Sequence, residues 1–210
     1  MNKDWSKPYE SPEEAYVSWY LDELVGGGYV KEYEHQPHSW PLSHNKKYKW
    51  IKQLKTKEKY MASTLLQQHV YTPDFEVIWH KEEPGIKSIF YKELPCVGVS
   101  KKNPFWARES TLLYDYTRFV VSTWEVKPLF DRNNMTRLFT INQKWVYDKY
   151  GVYVQKIIPQ KLFKDTFTPA RYLLTDSGKQ KRKLNFTPRT LEEYVESRKG
   201  KITCIEGNKP

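Results

Sequence analysis

Two short apolar stretches that end on charge restrict this chain more than anything else in it. The first is Tyr71-Thr72-Pro73-Asp74-Phe75, continued by Val77 and Ile78; the second is Phe119, Val120, Val121 and Trp124, running into Glu125-Val126-Lys127-Pro128. β-Branched and aromatic residues bounded by proline read as strands. Pro73-Asp74 is the only Pro-Asp in the chain, and Glu125-Val126-Lys127 its only acid-any-lysine triplet. Side chains alternate along a strand, so Glu125 and Lys127 share one face while Val126 turns the other way into apolar packing. Gathered at neighbouring strand ends, two carboxylates and an ammonium suit a divalent cation for cutting phosphodiesters. Mg²⁺ takes oxygen ligands, keeps several waters, and needs one or two carboxylates plus phosphate oxygens. Lys127 would orient or help deprotonate the attacking water, or offset phosphate charge. Taken singly, each motif also fits a turn or an exposed strand end.

A third acid comes from a helix start. In Ser11-Pro12-Glu13-Glu14, Ser11 fits the N-cap, Pro12 the first helical position and Glu14 the third, a capping box. Glu14, Val17, Leu21 and Leu24 then recur on one face of a helix over 13–25, which stops at Gly26-Gly27-Gly28. Glu14 heads the buried stripe, although a carboxylate there also serves the cap and the helix dipole; Glu13 lies one position off it. Tyr29 to His35 reads as the first strand.

The order helix acid, Pro-Asp, Glu-x-Lys resembles the PD-(D/E)xK nuclease superfamily, and within it phage endonuclease I-type junction resolvases and TnsA-like endonucleases. The likeness covers roughly residues 11–158 and rests on Glu14 to Leu21, Glu32-Tyr33-Glu34, Tyr71 to Phe75 and Glu125 to Lys127. It implies an α/β (α+β) fold, a mixed central β-sheet flanked by helices, with an αβββαβ restriction-endonuclease-like core. It implies Glu14, Asp74, Glu125 and Lys127 as the catalytic set, with Mg²⁺ or Mn²⁺ held at Asp74, Glu125 and the position of Val126. The implied activity is metal-dependent DNA endonuclease, selective for Holliday-junction or other branched DNA in phage or mobile-element processing. Two alternatives stand beside it: a TnsA-like transposon or restriction-type endonuclease working with a DNA-targeting partner, and a non-catalytic DNA-binding protein that keeps the fold. Partners so implied are DNA, a second copy of the chain, and a transposase-like or other phage-encoded protein, in the cytoplasm of a bacterial host. The 51-position step from Asp74 to Glu125 exceeds the compact pattern and requires an insertion, placed at about 81–116.

Charge and composition agree with a phosphate-binding partner. The chain of 210 residues carries a formal net charge of +10, an electrostatic footprint shared with ribosomal and membrane-surface proteins. Two cysteines, Cys96 and Cys204, far apart and outside any CxxC spacing, support neither a disulfide framework nor a zinc site. The start Met-Asn-Lys-Asp-Trp lacks a signal-peptide core, and no run reaches membrane-span length, so a soluble cytoplasmic protein is the expectation.

Residues 1–160 are read as the nuclease-like core and 161–210 as a basic C-terminal extension. Seven lysines crowd positions 46–59, a basic aromatic stretch fitting a hairpin or a DNA-facing loop, with a solvated face as the plain alternative. The insertion, with Pro84-Gly85, Pro95 and Asn103-Pro104, suits one or two strands and a long loop. Helical spacing at Met135, Leu138, Ile141, Trp145 and Tyr147 predicts a helix over 133–150 ending at Gly151, and Val152 to Ile158 a returning strand. A further helix is predicted at 190–198. Candidate DNA contacts are Lys101, Lys102, Lys144, Lys179, Lys181, Arg182 and Lys183. His35 and His38 have metal-ligand spacing but no third partner nearby, and read as surface or core residues.

Overall fold

The structure, a computed structural model, describes residues 9–82, 84–86, 108–109, 119–130, 135–175 and 177–202. Most of the 81–116 insertion, including Lys101 and Lys102, lies outside the described residues.

Helix α1 spans Pro12–Gly26. Ser11 has extended backbone and its hydroxyl accepts the Glu14 N–H, while the Glu14 carboxylate accepts from Ser11 Oγ at 2.6 Å and from the Glu10 N–H at 3.2 Å. At the other end Gly28 takes φ +76°, a conformation that glycine adopts without a Cβ penalty. Its N–H bonds to Val25 O and that of Tyr29 to Leu24 O, a Schellman stop that turns the chain back into the sheet.

The central sheet is mixed. Strands β1 (Val30–His35), β6 (Phe75–His80) and β8 (Phe119–Val126) run antiparallel, with His35 opposite Phe75 and Phe75 opposite Trp124. Strand β9 (Val154–Ile157) pairs parallel with the end of β8, and the short β7 (Arg108–Glu109) pairs with its first half. Phe75, Val77 and Trp79 share a face with their partners Trp124, Ser122 and Val120, and that face meets Val17, Tyr20, Leu21 and Leu24 of α1. The buried Trp79 indole N–H is satisfied by Ser122 Oγ at 2.7 Å.

Beyond β9, helix α3 (Pro159–Asp165), a 3₁₀ turn (Ala170–Leu173) and helix α4 (Leu191–Ile202) close over α1. Leu162, Phe163, Phe167, Tyr172, Leu191, Tyr194 and Val195 belong to the same core as α1 and the sheet. The described part of the segment read as an extension is thus built into the body. Tyr20 stacks on Phe167 at 4.2 Å between ring centroids, and its hydroxyl meets Thr166 Oγ1. Among the described residues no helix is long and apolar enough to cross a membrane.

Between β1 and β6 the chain makes a long two-stranded excursion. Strands β2 (Trp40–Ser43) and β5 (His69–Tyr71) form its root, and β3 (Lys46–Gln53) and β4 (Glu58–Leu66) its outer hairpin. Helix α2 (Met135–Tyr150) packs on the root. A second core joins Trp40, Leu42 and Tyr71 to Phe139, Val146, Val152 and Val154. The face of α2 departs from the spacing read in the sequence: Leu138, Ile141, Trp145 and Tyr147 are exposed, and Phe139, Asn142 and Val146 are buried. Among the described residues, it is Phe139 and Val146 of that helix that join the second core.

Phe75 joins α1 to the sheet at the point where β6 begins, and it is fully buried. Phe75→Ala should lower unfolding free energy by about 3–5 kcal/mol, read from the urea midpoint.

Candidate active site

Asp74 is held by its backbone before its side chain does anything. Its N–H donates to Trp124 O at 3.1 Å and its carbonyl accepts the Gln36 N–H at 2.9 Å, which fastens it to the ends of β8 and β1. Carboxylate oxygen Oδ2 then accepts the Val126 N–H at 2.6 Å. The antiparallel register that sets Phe75 opposite Trp124 brings the start of β6 beside the end of β8, so Asp74 meets Glu125 and Val126.

Glu125 is buried and both of its oxygens are engaged. Oε1 accepts from Lys127 Nζ and Oε2 from the Tyr71 hydroxyl, each at 2.6 Å. Glu125 and Lys127 share a face, and the Val126 side chain lies in the core, which leaves the backbone as the only part of Val126 able to serve a cation. The Lys127 N–H bonds to Ile157 O at 2.8 Å, so pairing with β9 fixes where β8 ends. Glu14, buried at the head of α1, completes the group, and its Oε2 lies 2.9 Å from His35 Nε2 at the end of β1.

The electrostatics record the crowding. Burial pushes the Asp74 carboxyl up to about 8; the charges of Glu125 and Glu14 push the same way, against the Val126 N–H and Lys127. Burial, then the Glu125 charge, holds the Tyr71 phenol above its ordinary range, so it stays a donor to that carboxylate.

Asp74, Glu125 and Lys127 therefore come together where β6 starts and β8 ends, and the Glu14 charge at the start of α1 acts on Asp74. Lys144, Lys179, Lys181 and Lys183 are exposed at a distance in the chain, while Arg182 lays its guanidinium over Tyr172 and Tyr16 at 4.5 and 5.0 Å and donates to Tyr172 O. Three residues near the site escaped the sequence reading. Tyr71 lies inside the Tyr71 to Phe75 motif without an assigned role, His35 reads in the sequence as a surface or core residue, and Glu76 is a buried acid of β6 two positions after Asp74. An acid amid the apolar residues Phe75, Val77 and Ile78 was the available signal for Glu76.

The donors suit a hard cation in kind: Asp74, raised by burial and then by the charges of Glu125 and Glu14, is a carboxyl that a divalent ion would favour in its ionised form. Their arrangement is closed, however. Among the described residues no three His, Cys, Asp or Glu side chains stand ready to hold an ion, and the oxygens of Glu14 and Glu125 are engaged by Ser11, His35, Lys127 and Tyr71. No family model, curated protein or solved structure matches the chain.

A carboxyl whose folded pKa lies above its unfolded value stabilises the fold below the unfolded pKa and loses that contribution as pH rises through the folded one. Asp74→Asn keeps an acceptor for the Val126 N–H and cannot ionise. In metal-free buffer the Asn variant should gain on the parent between about pH 4 and the Asp74 value of about 8, by on the order of several kcal/mol at ~1.36 kcal/mol per pKa unit. Thermal melts across that range check it.

Proposed function

We propose that the chain is a metal-dependent DNA endonuclease that hydrolyses phosphodiester bonds. The observation that carries this reading is the bond from the Val126 N–H to Asp74 Oδ2, which sets an acid of one strand against the Glu-x-Lys end of the next. The order of the elements agrees: α1, β1, β6, β8, α2, β9 follows the αβββαβ plan of the superfamily that the motifs resemble, with the two-stranded excursion inserted after β1 and the 81–116 block after β6.

Asp74 and Glu125, with the Val126 carbonyl, would hold Mg²⁺ or Mn²⁺, which supplies a Lewis acid for the phosphate and a lowered pKa for the attacking water. Lys127 brings an ammonium to the same point, where it orients that water or offsets charge on the phosphate. Tyr71 positions Glu125 through its hydroxyl and His35 positions Glu14. Water oxygen bonds to phosphorus and the bond to one ester oxygen breaks, leaving a hydroxyl and a phosphate monoester; no covalent enzyme intermediate is needed. Branched junctions are the proposed substrate, and paired cuts across a junction call for a two-fold dimer. A TnsA-like enzyme paired with a DNA-targeting protein would use the same residues on linear DNA.

A non-catalytic DNA-binding role is the second reading, favoured by the engaged oxygens of Glu14 and Glu125. Cleavage assays on four-way junctions and linear duplexes with Mg²⁺ separate these readings. Asp74→Ala and Glu125→Ala should each slow cutting by about 10³-fold or more, and Lys127→Ala by about 10²-fold, with DNA binding retained. Cutting by Asp74→Ala at the parental rate would refute the site, and a parent that binds DNA yet neither cuts it nor takes up Mg²⁺ in calorimetry would establish the second reading.

A further inference from the structure

The outer hairpin, β3 with β4, leaves both faces largely exposed. All eight residues of β3 are exposed, and in β4 only Met61 and Ser63 are half-buried. A lone two-stranded hairpin is marginal in water, and this one is held from its root, where Lys149 Nζ and the Tyr150 hydroxyl of α2 donate to Pro41 O. It nevertheless exposes Tyr48, Trp50, Ile51 and Tyr60. From Lys46 to Leu66 it carries seven lysines against one acid, Glu58.

Register sorts these groups. Tyr48, Trp50 and Lys52 share one face with their cross-strand partners Ser63, Met61 and Lys59. The Trp50 indole donates to Ser63 Oγ at 3.0 Å, which holds the ring on that face. Lys52 stands directly opposite Lys59, an arrangement that destabilises a bare hairpin and that an anion between the two would relieve. Lysines alone would serve to keep an exposed strand edge from pairing with other chains. They do not explain two exposed rings on the same face, about 7 Å apart along the strand at ~3.4 Å per residue.

We infer that this arm binds an unpaired nucleic-acid strand, with bases stacked on Tyr48 and Trp50 and phosphates neutralised by Lys52 and Lys59. A polyanion with flat faces complements the combination of rings and ammonium groups. The arm also leads to the acids: β5 returns from it, the Tyr71 hydroxyl at its end bonds to Glu125, and Asp74 follows three residues later. The choice of nucleic acid as occupant rests in part on the endonuclease reading, so the test measures binding without cutting.

Fluorescence anisotropy of the full chain in EDTA, with labelled oligothymidylate and with a duplex of the same length, reads the two affinities. Tyr48→Ala with Trp50→Ala should weaken single-strand binding by about 10-fold or more and duplex binding far less. Trp50→Phe, which keeps a stacking ring and drops the bond to Ser63, should retain most of the affinity. Lys52→Gln with Lys59→Gln should flatten the slope of log K against log salt by about 1.4, at ~0.7 for each phosphate on a single strand. Unchanged thermal melts would show that the body stays folded. Equal affinity for parent and double-alanine variant, an equal loss on both DNAs, or conversion of a dimer to a monomer in sedimentation with affinity unchanged would each overturn the arm. Loss of cutting in Asp74→Ala with arm-dependent binding intact leaves this inference standing, and a parent that binds through the arm without cutting refutes the nuclease reading alone.

Discussion

The 2.6 Å bond from the Val126 N–H to Asp74 Oδ2 joins two strand ends that lie 52 positions apart in sequence. It forms because β6 and β8 pair antiparallel with Phe75 opposite Trp124, a register set by a face that must bury Phe75, Val77 and Trp79 against α1. A slip of one residue would turn that face to the opposite side. The same register that hides the aromatic rings therefore also sets Asp74 beside Glu125. Packing and site are two consequences of one pairing.

That arrangement is electrostatically unfavourable by itself. Burial and the charges of Glu125 and Glu14 disfavour an ionised Asp74, and each acid has local partners: Tyr71 and Lys127 at Glu125, Ser11 and His35 at Glu14, Val126 at Asp74. Strain of this kind persists where the surrounding structure over-determines it, and such places are commonly functional. On the proposed reading a cation would have to displace some of these donors. An ion would compete with Lys127 and Tyr71 for Glu125, and the displaced ammonium would then be free for phosphate.

Local signals carried much of this in the sequence. Ser11, Pro12, Glu14 and the glycines at 26–28 mark both ends of α1 because caps are satisfied within a few residues. Residue type and strand parity were enough to single out the motif acids, whereas their juxtaposition depends on the β6–β8 register. Tertiary partners were not legible: His35 and Tyr71 acquire their roles from contacts 21 and 54 positions away. The buried face of α2 was misjudged because helical spacing shows where apolar residues recur, whereas the root sheet, itself a long-range pairing, selects Phe139 and Val146. The basic residues after 160 read as a C-terminal extension with candidate DNA contacts; the rings among them, Phe163, Phe167 and Tyr172, join the core, and Arg182 rests on two tyrosines.

The proposed activity requires carboxylates of separate strands to share one hydrated cation. Anomalous scattering from crystals grown with Mn²⁺ tests this directly. An ion within about 2.2 Å of carboxylate oxygens from both Asp74 and Glu125, with Lys127 swung away from Glu125, is the predicted result. An ion bound elsewhere, or these carboxylates keeping their present partners in saturating Mn²⁺, would contradict it.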